Sequence, residues 1–178
     1  VFLVILFYVF CNSINAQNQL IDSLTTLIKK DVEDTNKVNH LKSLARSYQV
    51  VGELKKCELK CKEGIQLAEK LNYKIGIGRL YDRLGCCYTE QGNYSVALKT
   101  LLAGLKIKKE INDKEGMCNN YVFLGNLFLY QSNLDKALNY FTLSLKTSQE
   151  LKNKSLSSQA YSGQAVVYQA QGKNEEAL

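Results

Sequence analysis

The sequence predicts an all-α fold, a solenoid of stacked antiparallel helix hairpins, and three observations carry that prediction. Proline is absent from all 178 residues, which few chains of this length achieve unless they are mostly helix, because helix interiors exclude proline. A set of small and aromatic residues recurs every 40 positions. In the second copy Leu98, Leu101, Leu102 and Leu105 fall at i, i+3, i+4 and i+7, the spacing of one face of a helix, and Leu138, Phe141 and Leu145 repeat that stripe one copy later. With 46% hydrophobic and 22% charged residues, the composition is that of a globular chain and not of a disordered one.

The first element is the stretch "VFLVILFYVFC" and the polar residues after it. Ten large apolar residues followed by Ile14-Asn15-Ala16 read as the end of a secretory signal with a small residue at the cut position, so residues 1–16 are expected to be a signal peptide or a truncated membrane anchor. A full span needs about 20 apolar residues. Export, to a periplasmic or membrane-associated location, is the expectation that follows. Residues 17–37 read as a leading helix and a joint, with apolar positions at Leu20, Ile21, Leu24, Leu27 and Ile28. Such a helix would cover the N-terminal end of a stack.

The repeats then occupy 38–77, 78–117 and 118–157, with a partial copy at 158–178 in which the chain stops part-way into a helix. That stop, like the lack of a starting methionine, is read as truncation at both ends. The second copy, "LGCCYTEQGNYSVAL", places Leu84, Gly85, Tyr88, Gly92, Tyr94 and Ala97. The third aligns Leu124, Gly125, Phe128 and Ala137 with these, followed by Phe141; the first supplies Ala45, Tyr48 and Gly52, and the fourth Ala165, Tyr168, Gly172 and Ala177. Each position has a physical reason in a helical hairpin. Gly52, Gly92 and Gly172 sit where a helix-to-helix turn needs positive φ, and Ser132 takes that place in the third copy. Gly85 and Ala97 let two helices approach closely, while Tyr88 and Tyr94 fill the wedge beside the turn. Further knobs recur at Leu41, Tyr81, Tyr121 and Tyr161, and Leu98, Leu101, Leu102 and Leu105 form the apolar stripe of the second helix.

A large residue followed by L-G-x2-Y and then A-x3-F, as in "YDRLGCCYTEQGNYSVALKTL" and "YVFLGNLFLYQSNLDKALNYF", resembles the tetratricopeptide repeat. The likeness covers residues 38–178. The period of 40 is longer than the family's usual 34 and the late proline is missing. The resemblance implies a right-handed superhelix whose inner surface, lined by the first helix of each hairpin, holds a peptide or partner protein. Carried onto this sequence, the groove positions are Asn39, Lys42, Arg46 and Gln49, then Arg79, Asp82, Thr89 and Glu90, then Asn119, Asn126 and Tyr130. The expected function is a protein–protein interaction scaffold. The signal-like start, the leading "DSLTTLIKKDVEDTNKVNHLKSLARSY" and the linker "EINDKEG" also resemble exported sensor regions of bacterial signalling proteins. Those continue into a histidine kinase, a phosphatase or a transcription regulator, which would place any catalysis beyond Leu178.

Nothing in the chain assembles a catalytic set, so no enzyme, no cofactor and no metal are expected within it. The six cysteines lack the paired C-x2-C spacing or partner histidines of a zinc site. The single histidine, His40, lies on the first helix of copy one. Cys57, Cys61 and Cys87 fall on buried repeat positions, where cysteine acts as a small hydrophobe, although an oxidising compartment would permit a disulfide. Gly76 and Gly78 read as a joint between helices and not as a phosphate loop. Asp82 and Glu90, two turns apart, read as surface charge. The net charge of +6, from 23 basic and 17 acidic residues, is scattered in pairs such as Lys29-Lys30 and Lys108-Lys109, without the gathered basic face a nucleic-acid partner requires. A membrane is expected to be met only through an anchor, and the pattern leaves room for a homodimer.

Overall fold

The computed structural model describes residues 17–172. The signal-like segment 1–16 and Ala177 of the repeat signature lie outside the described residues. The described chain is eight helices: α1 over 17–30, α2 (Thr35–Val50), α3 (Leu54–Lys70), α4 (Lys74–Glu90), α5 (Tyr94–Glu110), α6 (Lys114–Tyr130), α7 (Leu134–Glu150) and α8 (Lys154–Ala170). No strand occurs among the described residues, and no helix among them is long and apolar enough to cross a membrane.

The helices stop where the sequence places its turns, through one recurring hydrogen-bond pattern. Gly52, Gly92 and Gly172 have φ of 77°, 76° and 73°, and Ser132 has 56°. At Gly92 the amide donates to Thr89 O at 3.0 Å, and the next amide, of Asn93, donates to Tyr88 O at 2.9 Å. This is the Schellman closure, which satisfies carbonyls the helix end would leave open. The same closure falls halfway between these turns, at Asn72, Asn112 and Lys152, with φ of 56°, 54° and 53°. Seventeen-residue helices and three-residue turns therefore alternate from α3 to α8, and the 40-residue period is two such units. Gly76 and Gly78 are not in a joint: both lie in the first turns of α4, buried. A side chain at Gly76 would meet the Tyr73 ring at 2.4 Å, so the small residue there serves packing.

Successive helices pack antiparallel, and each odd-numbered helix from α3 to α7 sits between two even-numbered ones. The even helices also touch in sequence, α2 on α4, α4 on α6 and α6 on α8, whereas α3, α5 and α7 make no contact with one another. The stack is therefore tighter on the side of α2, α4, α6 and α8, and that side is concave. Helix α1 closes the N-terminal end, burying Leu24 and Ile28 in the same core as Leu41 and Leu44. His40 Nδ1 meets Asp31 Oδ2 at 2.7 Å and fixes the exit from α1.

Gly85 does what its spacing predicts: a Cβ there would lie 2.5 Å from Leu101, so α4 and α5 close only over glycine. Ala97, on the same contact, is fully buried. We expect Ala97→Leu to destabilise by about 1–3 kcal/mol through overpacking, measured by urea unfolding; an unchanged midpoint would refute this account of the α4–α5 contact. Of the predicted stripe on α5, Leu101 and Leu105 are buried, but Leu102 is exposed, because the next hairpin covers only the α6-facing side. Tyr161, predicted as a knob, is likewise exposed on α8, the last described helix.

Cys57, Cys61, Cys87 and Cys118 are all fully buried in or beside the core. Cys87 Sγ donates to Leu54 O at 3.1 Å. A hydrogen bond with Cys61 is the largest cause that pushes the Cys57 thiol up to about 12, and burial pushes the Cys118 thiol up to about 11. At these fully buried positions cysteine fills space as a small hydrophobe.

Candidate functional site

The concave face carries a cleft of about 650 Å³ lined from α2, α4, α6 and α8. Five of the residues assigned to the groove from sequence line it: Lys42, Arg46, Arg79, Asp82 and Asn119. Ser43, Arg83, Glu115, Phe123 and Gln159 also line it and were missed. Arg83 lies outside the groove register that the repeat pattern supplies. Its long side chain brings it in: Nη1 donates to Gln49 Oε1 at 2.6 Å. Gln49 in turn donates to Glu90 Oε1, so Gln49 and Glu90 form a tie from α2 to α4 beside the cleft. Asn126 and Tyr130 are exposed and Asn39 is half-buried, and none of the three lines this cleft.

Two assignments need correcting. Thr89 is buried, and its hydroxyl donates to Gly85 O at 2.9 Å, one turn back in its own helix, so it offers nothing to a partner. Asp82 is not surface charge either: it is 5% exposed at the cleft floor. Lys108 Nζ donates to Asp82 Oδ1 at 2.8 Å and to Gly78 O at 2.7 Å. Asn120 Nδ2 donates to the same carboxylate oxygen at 2.6 Å and to Leu101 O at 3.0 Å. Lys108 is 1% exposed and Asn120 fully buried. Burial pushes the Asp82 carboxyl above its ordinary range, while Lys108 and Asn120 pull it back. This network belongs to one copy alone. The positions 40 residues away hold Lys42 and Val122 for Asp82, Ala68 and Ser148 for Lys108, and Leu80 and Ala160 for Asn120.

The cleft is cationic. Lys42, Arg46, Arg79 and Arg83 converge there, and none of them lies within ion-pairing distance of a carboxylate among the described residues. Burial, then the charges of Arg79, Arg83 and Arg46, hold the Lys42 amine below its ordinary range. Glu115, at the α6 side, is approached by Asn153 Nδ2 at 3.4 Å. The lining holds hydrogen-bond donors and positive charge, which suits binding.

A tight inner layer of helices, a looser outer one and a polar inner cleft define an α-solenoid of repeated hairpins. The solenoid is a tetratricopeptide-repeat one: residues 78–111, which span most of α4 and α5, match the tetratricopeptide repeat family, and similar solved structures share the fold. One is BtubC (BKLC) from P. vanneervenii, at 20% identity and a TM-score of 0.69, covering 92% of this chain and 67% of that one. Another is a Signal Transduction ATPase with Numerous Domains protein with a tetratricopeptide repeat sensor, PH0952 from Pyrococcus horikoshii. It is 24% identical with a TM-score of 0.73, over 92% of this chain and 26% of that one. A third is aspartyl phosphate phosphatase F from Bacillus subtilis, at 15% identity and 0.67, over 88% of this chain and 51% of that one. The chain thus spans about a quarter of the second protein and half of the third. At these identities the likeness is one of fold. No curated protein matches the sequence.

Proposed function

We propose that this chain is a binding module that receives a segment of a partner protein or peptide in its concave cleft. The observation that carries the reading is the cleft itself. Side chains from four successive hairpin helices converge on it, and its lining offers hydrogen-bond donors that the fold leaves without partners. A photo-crosslinking amino acid placed at Asn119 in the cleft, and separately at Lys99 on the outer face of α5, tests it in the native host. Adducts from the Asn119 site alone are expected. Equal capture from both sites, or none from Asn119, would remove the cleft as the binding face.

A second reading is that the module senses for a longer signalling protein. The apolar stretch before Asn12 and the fold shared with a repeat sensor of a signal-transduction ATPase support it, and it carries with it export across a membrane. A membrane-impermeant crosslinker applied to intact cells in the same experiment decides this: adduct formation favours the exported sensor, and its absence with adducts in lysate rejects export.

A further inference from the structure

The chain's 23 basic residues include three arginines, Arg46, Arg79 and Arg83, and all three line the one concave cleft. The solvated surface is served by lysine: Lys56, Lys60, Lys62, Lys70, Lys74 and Lys114 each meet a glutamate on the exterior. Lysine is a strongly hydrated point charge, whereas the guanidinium fork matches a carboxylate with two parallel hydrogen bonds. Arg83 Nε is buried in the cleft wall without a hydrogen-bond partner, a donor the fold itself leaves open. Gathering four cations costs self-repulsion, which the two carboxylates of the same lining, Asp82 and Glu115, offset only in part, since neither lies within ion-pairing distance of them. The one carboxylate at the cleft floor, Asp82, is already taken by Lys108 and Asn120.

The cations also have a register. Lys42 and Arg46 are four residues apart on α2, and Arg79 and Arg83 are four apart on the neighbouring α4. Four residues of helix rise about 6 Å, and alternate side chains on one edge of an extended chain are about 6.5 Å apart. Each row therefore fits two carboxylates placed two residues apart on an extended segment. Building on the scaffold reading above, the geometry points to an acidic partner segment, extended and carrying Asp or Glu at alternate positions, as what this cleft receives.

Fluorescence anisotropy with short labelled peptides tests this. A peptide alternating glutamate and serine should bind. Its glutamine counterpart should bind about tenfold more weakly or worse, since hydrogen bonds to charged groups are the strong ones. An equally charged peptide with glutamate at every third position should also be weaker; equal binding would overturn the spacing. Arg79→Gln with Arg83→Gln should abolish the preference for glutamate, while Lys99→Gln with Lys106→Gln on the outer face should leave it intact. Equal loss in both variants would mean general charge attraction and would overturn the site. Displacement of the peptide by inorganic tripolyphosphate at matched charge would overturn the choice of a carboxylate segment. If Asn119 crosslinks a host partner while no acidic peptide binds, the scaffold reading stands and the acidic partner falls.

Discussion

Lys108→Met is expected to destabilise the protein by about 3–5 kcal/mol, because it leaves the buried Asp82 carboxylate without its charge partner. The lysine is 1% exposed, and its ammonium reaches both Asp82 and the Gly78 carbonyl, so the methionine removes two hydrogen bonds along with the charge. The double variant Asp82→Leu with Lys108→Met removes both charges. It should recover most of that loss, since replacing a whole buried pair by apolar residues is often neutral or stabilising. The third copy holds Val122 and Ser148 at the corresponding positions, so the repeat register does not require a charged pair there. The pH dependence follows from Asp82, whose carboxyl burial already raises and which the single variant raises further. A group with a raised folded pKa has its most favourable contribution below the unfolded value, and loses it as pH rises through the folded one. The penalty of Lys108→Met should thus shrink as pH falls toward the ordinary aspartate range and grow as pH rises above it. Urea unfolding across that range measures it; equal costs for the single and double variants would show that the ion pair is not the cause.

The elements and turns of this fold were legible because they depend on local chemistry. Glycine at 52, 92 and 172 marks positive φ, and Gly85 and Ala97 mark a close helix contact, whatever else surrounds them. The half-period turns were legible in part: the linker "EINDKEG" marks the one at Asn112, but no glycine singles out the left-handed residue, which is Asn72, Asn112 or Lys152. The tertiary network was hidden for a different reason. "LKIKKE" reads as a solvated last turn of a helix, and only the arrival of α4 and α6 buries Lys108 among polar partners. Asp82 was correctly placed on the concave side, but its spacing from Glu90 gave no sign that Lys108 would occupy it. Arg83 was missed for the converse reason. Its backbone position is off the groove register, and the length of its side chain carries it into the cleft. Periodicity locates backbone positions, whereas the reach and pairing of long polar side chains are set by neighbours distant in sequence.

Phe141→Ala should cost about 3–5 kcal/mol, as expected for deleting a fully buried aromatic ring. Phe141 is 0% exposed and packs with Phe128, Ala137 and Val167 in the core shared by α6, α7 and α8. Two glycines make room for it from opposite partners. A Cβ at Gly125 on α6 would lie 2.7 Å from the ring, and one at Gly163 on α8 would lie 2.3 Å from it. These contacts make the sign of a glycine substitution depend on the ring. In the native chain Gly163→Ala should destabilise by overpacking, about 1–3 kcal/mol, outweighing the gain of up to about 1 kcal/mol from replacing a mid-helix glycine. In the Phe141→Ala background the steric term disappears and the same substitution should stabilise by about that propensity alone. A double-mutant cycle therefore predicts a change of sign, which propensity or solvent exposure at Gly163 cannot produce. Additive effects in the cycle would mean that α8 is not seated on Phe141, and the docking of the last described helix onto the stack would have to be redrawn.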